Sequence, residues 1–178
     1  MFKKPIILDV ETLSRTKHFH IEKLKLQFSN GEKRDYERLK GSSSGAVLVI
    51  PMLDNDTVLM IYEYSGGTNK YELGLPKGKI DKGETPLEAA NRELSEEVGF
   101  SAKKLTYLKE MTLAPGYQSN HTHIILAQDL YPKITKGDEP EPLVVVEKKL
   151  SQLNELIQDN DLSEARSIAA LFMVRDYL

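Results

Sequence analysis

The chain contains no cysteine and no tryptophan among its 178 residues. Without cysteine there is no disulfide framework, no thiol nucleophile and no zinc–thiolate centre. No run approaches the ~20 apolar residues that a membrane-spanning helix requires. The N-terminal stretch opens with the basic Lys3 and Lys4, but Asp9 and Glu11 cut its apolar run too short for a secretory signal. Basic excess is lacking as well. With 24 Lys+Arg against 27 Asp+Glu, the net charge is −3, so no global positive field exists to draw nucleic acid or an anionic membrane. No internal repeat and no low-complexity tract is visible. The expectation is a cytoplasmic protein with no nucleic-acid or membrane partner.

What is present suits one globular domain with a small appendage: 40% hydrophobic and 29% charged residues over this length. Phe19 to Leu39 reads as a hairpin, because Leu24, Leu26 and Phe28 alternate with polar residues and Asn30-Gly31 suits a tight turn. Gly41-Ser42-Ser43-Ser44-Gly45 is a flexible joint. It divides a β sub-domain, residues 1–44, from a main domain, residues 45–178. Ala46 to Leu53 is a nearly continuous apolar run, the pattern of a buried strand, and Asp54-Asn55-Asp56 turns it toward a returning strand at Val58 to Tyr64. Lys104 to Thr112 and Thr122 to Leu130 are further strands. Helices are expected at Pro86 to Val98, around Gln152 to Gln158, and at Ser163 to Tyr177. Strands flanking helices without strict alternation suggest a mixed sheet between helices.

The helix at Pro86 carries its own start and stop signals. Thr85 can cap it, Glu88 completes a capping box, Pro86 suits the first turn, and Gly99 suits the end. At about 100° per residue, Leu87, Ala90, Leu94 and Val98 form the core stripe. Glu93, Glu96 and Glu97 crowd the last turn, where like charges and the helix dipole both oppose them. A hard divalent cation would offset that repulsion, since oxygen is the ligand Mg²⁺ takes. Arg92 lies four residues from both Glu88 and Glu96, so it can hold one carboxylate while another binds metal.

Before the helix runs a tight loop, Gly78-Lys79-Ile80-Asp81-Lys82-Gly83-Glu84. Loop and helix together read Gly78, five residues, Glu84, seven residues, Arg92-Glu93-Leu94, one residue, Glu96-Glu97, one residue, Gly99-Phe100. This resembles the signature of the Nudix hydrolase family at every fixed position, with Phe100 standing where a bulky aliphatic is usual.

The resemblance implies an α/β/α sandwich with a mixed sheet, here preceded by the antiparallel β hairpin. It implies hydrolysis of a nucleoside diphosphate linked to another group, with Mg²⁺, or Mn²⁺ substituting, at two or three ions per site. It makes Glu93 and Glu97 metal ligands, Glu96 a further ligand or catalytic carboxylate, and the Lys77 carbonyl a backbone ligand. Arg92 would orient the cluster, and Gly78, Glu84 and Gly99 would shape the loop. A base is expected from the box or from Gly137-Asp138-Glu139-Pro140-Glu141-Pro142, with Glu141 favoured over Glu139. If that segment is extended, both glutamates point the same way.

Pro115, in Leu113-Ala114-Pro115-Gly116-Tyr117, resembles the ADP-ribose pyrophosphatase branch. That branch commonly has Gln-Tyr-Arg on the strand before the box, whereas this chain has Glu63-Tyr64-Ser65 and lacks the arginine. Blocks along nearly the whole chain, among them Tyr36-Glu37-Arg38 and Tyr71-Glu72-Leu73-Gly74, resemble a bacterial branch acting on ADP compounds. It releases AMP from substrates such as diadenosine polyphosphates (Ap3A, Ap2A), ADP-ribose and NADH. Tyr64, Tyr71 and Tyr117 are candidates for adenine stacking and Arg38 for phosphate binding. The hairpin is too small to hold its own core, which points to a homodimer. Two rivals stand beside this reading: a pyrophosphohydrolase of nucleoside triphosphates or capped RNA, and a Nudix-fold module that senses a nucleotide without cleaving it.

Overall fold

The computed structural model describes residues 3–178, which fall into two compact units: residues 3–43 with Thr112–His121, and Ser44–Met111 with Thr122–Leu178. In the first unit the expected hairpin forms as β2 (His20–Gln27) and β3 (Lys33–Leu39), joined at the Asn30-Gly31 turn, where Gly31 takes φ +87°. A third strand, β1 (Ile6–Arg15), pairs antiparallel with β2 and makes a three-stranded sheet. The sequence reading did not anticipate β1. Register shifts at Ile7/Asp9 and Thr12/Ser14 break its alternation, and every residue of the strand is exposed. The returning segment of this unit bonds the end of β3: Leu39 donates its N–H to the Tyr117 carbonyl at 2.8 Å, and Ser119 donates to Leu39 at 3.0 Å.

The second unit is built on β4 (Ala46–Pro51), β5 (Thr57–Ser65), β6 (Lys70–Gly74), β7 (Lys77–Lys79), β8 (Phe100–Thr112), β9 (His121–Pro132) and β10 (Val144–Lys149). Its helices are α1 (Pro86–Glu93), the short α2 (Leu153–Leu156) and α3 (Ala165–Tyr177). One sheet has the order β7-β4-β9-β8 and is mixed, because β4 is parallel to β9 and antiparallel to β7. The other, β10-β5-β6, is antiparallel.

The apolar run on β4 follows from burial on both faces. Val47 and Val49 pack with Leu59, Ile61 and Ile125 against Ala89, Ala90, Leu94 and Val98 of the helical segment after the loop. Leu48 and Ile50 pack with Val58, Met60, Ile124 and Leu126 against Leu153, Leu156, Ala170, Leu171 and Val174 from α2 and α3. The period of two thus sorts alternate residues into two cores, and the architecture is the expected α/β/α sandwich.

The returning strand forms as β5 but belongs to a different sheet from β4, and the Met52–Val58 bridge and the Asp54-capped turn link the two. Two local expectations are corrected. Leu87 faces outward at 37% exposure, while Ala89 takes its place in the core. The helix also stays α-helical only to Glu93, then widens into a π turn over Leu94–Val98 that closes when Gly99 donates its N–H to Leu94. Such π insertions re-aim side chains and are frequent at functional sites. Among the described residues no helix is long and apolar enough to cross a membrane.

Candidate active site

Thr85 starts α1 as its sequence predicts. Its hydroxyl accepts the Glu88 N–H while the Glu88 carboxylate accepts the Thr85 N–H at 2.8 Å, closing a capping box. Gly99 ends the helical segment at φ +79°, a conformation open to glycine. Between these ends Glu93, the last residue of α1, and Glu97, within the π turn, are buried at 7% and 6% exposure. Glu96 remains half-buried beside them.

Arg92 is the hub of the site. Its Nε and Nη2 donate to the two oxygens of Glu84 at 2.8 and 2.9 Å. Its Nη1 donates to Glu93 at 2.7 Å and Glu96 at 3.1 Å, and Nη2 also reaches the Lys79 carbonyl at 2.9 Å. Glu84 in turn accepts the Asp81 N–H at 3.0 Å, which closes the loop on itself. Arg92 holds the Glu84 carboxyl below its usual pKa. Gly78 passes so close to Glu93 that a Cβ there would lie 2.0–2.4 Å from the carboxylate atoms, so the backbone must be bare at this point.

The Lys77 N–H donates to Glu97 Oε2 at 2.8 Å, and the Lys77 ammonium donates to Glu63 at 2.6 Å. Burial nevertheless pushes the Glu97 carboxyl up to about 8, against the pull of the Lys77 N–H. Burial also raises Glu93, despite Arg92. Neither carboxylate is fully compensated by the protein alone. A cleft of about 540 Å³ opens over them, lined by seven carboxylates against the four cations Lys77, Lys79, Arg92 and Lys136. An all-oxygen donor set with surplus negative charge fits a hard divalent cation held by Glu93, Glu96 and Glu97.

The acidic loop supplies one of its two glutamates to this cleft. Glu139 lines it, half-buried. Glu141 is exposed and accepts a hydrogen bond from the Tyr71 hydroxyl instead. The two side chains do not share a side, because residues 137–142 form bends rather than an extended strand. Tyr71 packs edge-on against Tyr64 at 5.7 Å between ring centroids. The Tyr64 hydroxyl donates to Asn69 at 2.7 Å. Arg38, Pro115 and Tyr117 belong to the other unit. There Arg38 donates twice to the buried Glu22, at 3.1 and 2.9 Å, and Lys40 donates to the same carboxylate at 2.7 Å. Pro115 and Tyr117 are exposed.

Sequence reasoning passed over Glu63, Lys79, Asp81, Lys136 and Asp138, all of which line the cleft. Glu63 had a signal: its segment was noticed only for the arginine it lacks, yet it stands opposite Lys77.

Comparison with known proteins agrees with this geometry. A family profile described as the NUDIX domain matches residues 43–174, and one described as the NudE-type Nudix hydrolase N-terminal domain matches residues 5–38. The chain is 50% identical over 176 residues to the ADP compounds hydrolase NudE of Escherichia coli K12, covering 99% of this chain and 94% of that protein. It is 30% identical to an ADP-ribose pyrophosphatase of Bacillus subtilis, covering 82% and 79%. A solved structure titled as the crystal structure of ADP compounds hydrolase superposes with a TM-score of 0.93 at 49% identity, covering 100% of this chain and 96% of that one. The signature loop and helix, the sandwich that positions them and these full-length likenesses place the chain in the Nudix hydrolase family.

Proposed function

We propose that this protein hydrolyses the pyrophosphate linkage of ADP-containing compounds, such as Ap3A, Ap2A, ADP-ribose and NADH, and releases AMP. The observation that carries this reading is 50% identity to an ADP compounds hydrolase across 99% of the chain. The division of labour is a Nudix hydrolase domain over residues 45–178 and a β sub-domain over residues 1–44, with Thr112–His121 folding into the compact unit of the sub-domain.

Glu93, Glu97 and Glu96 hold the metal, with the Lys77 carbonyl as a further ligand. Mg²⁺ bound there, in two or three ions and with Mn²⁺ as a substitute, neutralises phosphate charge and lowers the pKa of water. Arg92 keeps Glu93 and Glu96 aimed into the cleft. Lys79 and Lys136 face the phosphate oxygens from the rim. Glu139 takes the proton of the attacking water, since it is the acidic-loop glutamate on the cleft. The Tyr64–Tyr71 pair offers its exposed faces to adenine. Arg38 serves the phosphate only if it leaves Glu22.

A turnover panel over diadenosine polyphosphates, ADP-ribose, NADH and nucleoside triphosphates, with and without Mg²⁺ and with products identified, tests the substrate class. AMP release from the ADP compounds is expected. Preference for triphosphates would move the enzyme to the rival pyrophosphohydrolase class, and binding without turnover would make it a sensor.

The enzyme acts as a cytoplasmic homodimer, and the support for the dimer is the exposed apolar side chains of the edge strand β1. Ile6, Ile7, Leu8, Val10 and Leu13 are each more than 40% exposed on that edge strand. Exposed apolar edges of this kind are normally covered. Sedimentation is expected to give a dimer at micromolar concentration; a clean monomer would remove the dimer from the proposal.

A further inference from the structure

Glu139 lies on a segment with firm ends and a weak middle. At one end the Thr135 N–H donates to the Ser95 carbonyl at 3.0 Å, and the two hydroxyls meet at 3.0 Å. At the other end Val144 pairs with Tyr62 as β10 joins β5. Between them, Pro140 and Pro142 bring no N–H and cannot join a ladder. The hydrogen bond from Tyr71 to Glu141 falls in this middle, directly across Pro140 from Glu139.

We propose that Tyr71 is a positioning residue for the reaction: its hydroxyl, donated to Glu141, holds residues 137–142 so that Glu139 stays in the cleft. The inference rests on Glu139 being the base. Tyr71 is itself firmly placed. It pairs with Tyr64 across β5 and β6, and its ring meets the Tyr64 ring at 69°. Tyr64 is tied to Asn69, which turns the hairpin at φ +57°. The Glu141 carboxylate raises the Tyr71 pKa, so the hydroxyl keeps the proton it donates. Proline fixes φ at position 140, and so a fixed Glu141 limits where Glu139 can go. The Glu139 carboxylate folds back over Gly137, where a Cβ would lie 2.1 Å from it.

The test is a set of substitutions read by steady-state kinetics and by hydrogen exchange of residues 137–143. Tyr71→Phe keeps the ring and loses the hydroxyl. It is expected to lower kcat by roughly tenfold, the scale of a small misplacement of a reacting group, with KM held. Glu141→Ala should match it, and the double variant should be no worse than either. Glu141→Gln keeps a carbonyl acceptor for the tyrosine and should restore turnover. Exchange of residues 137–143 should speed up in Tyr71→Phe and Glu141→Ala but not in Glu141→Gln. Wild-type kcat and exchange in Tyr71→Phe would overturn the proposal, as would Glu141→Gln behaving like Glu141→Ala. Glu139→Gln separates this from the reading beneath it. Full activity there withdraws the base itself, whereas an inactive Glu139→Gln beside an unaffected Tyr71→Phe removes the positioning role alone.

Discussion

Glu97→Gln is expected to lower kcat about a thousandfold, the scale of losing one preorganised electrostatic partner of a transition state. The same change should make the metal-free protein more stable. Burial raises the Glu97 carboxyl to about 8. The folded protein therefore holds this proton more tightly than the unfolded chain does. The sign follows directly. Below the unfolded pKa both states are protonated and no penalty exists. As pH rises toward 8, the unfolded chain ionises freely while the folded one resists, so stability falls. The penalty reaches roughly 5 kcal/mol once pH passes the folded value. Glutamine carries no charge, and its carbonyl can still accept the Lys77 N–H, so the variant escapes the penalty.

Thermal melts in EDTA at pH 5 and pH 8 check this. Wild type should lose stability across that interval, and Glu97→Gln should lose less, since Glu93 still resists ionisation there, leaving the variant roughly 10 °C or more ahead at pH 8. Millimolar Mg²⁺ should narrow the gap by stabilising only the wild type. Equal melting temperatures at pH 8 in EDTA, or intact turnover in the variant, would remove Glu97 from the metal site. Function here is bought with stability, because the carboxylate that suits a cation is a liability without one.

Arg92→Ala is expected to show the largest loss of stability, roughly 3 kcal/mol after allowance for its partial exposure. The guanidinium joins Glu84, Glu93 and Glu96 and also bonds the Lys79 carbonyl. Its removal leaves the buried Glu93 facing Glu96 and Glu139 without the guanidinium that offsets them. It also frees Glu84 from the interaction that closes the loop. Turnover should fall about a hundredfold as the ligands lose their aim. The pH behaviour has the opposite sign to that of Glu97. Arg92 depresses the Glu84 carboxyl, so this contribution is present above the unfolded pKa and is lost as pH falls through the folded value. Acid melts of the variant should therefore lack a component seen in wild type. Arg92→Lys should recover only part of either effect, because one ammonium cannot bridge three carboxylates in a fork. An Arg92→Ala protein as stable as wild type at pH 7 would show the hub to be ornamental.

The helix after the loop was legible because its signals are local. Thr85, Pro86, Glu88 and Gly99 act through bonds within a turn or two of themselves, so the sequence alone determined where the helical segment starts and stops. The Nudix spacing was legible for the same reason. So was the two-faced burial of β4, since an apolar run with no polar alternation must be covered on both sides. The π turn was not legible, because it depends on how Leu94 and Val98 seat against the sheet, and Glu97 is buried within it. Nor was β1, whose bulged strand finds its register only on β2.

The acidic loop divides most clearly between the two levels. Composition and the prolines marked residues 137–142 as an extended acidic segment, and that spacing would aim Glu139 and Glu141 together. Tertiary structure aimed them apart, one into the cleft and one onto a tyrosine seventy residues earlier. Side-chain direction in a loop is set by partners distant in sequence, and no local pattern encodes those. The sequence by itself therefore determined which residues carry the charge, and the packed sheet decided which of them share a cleft.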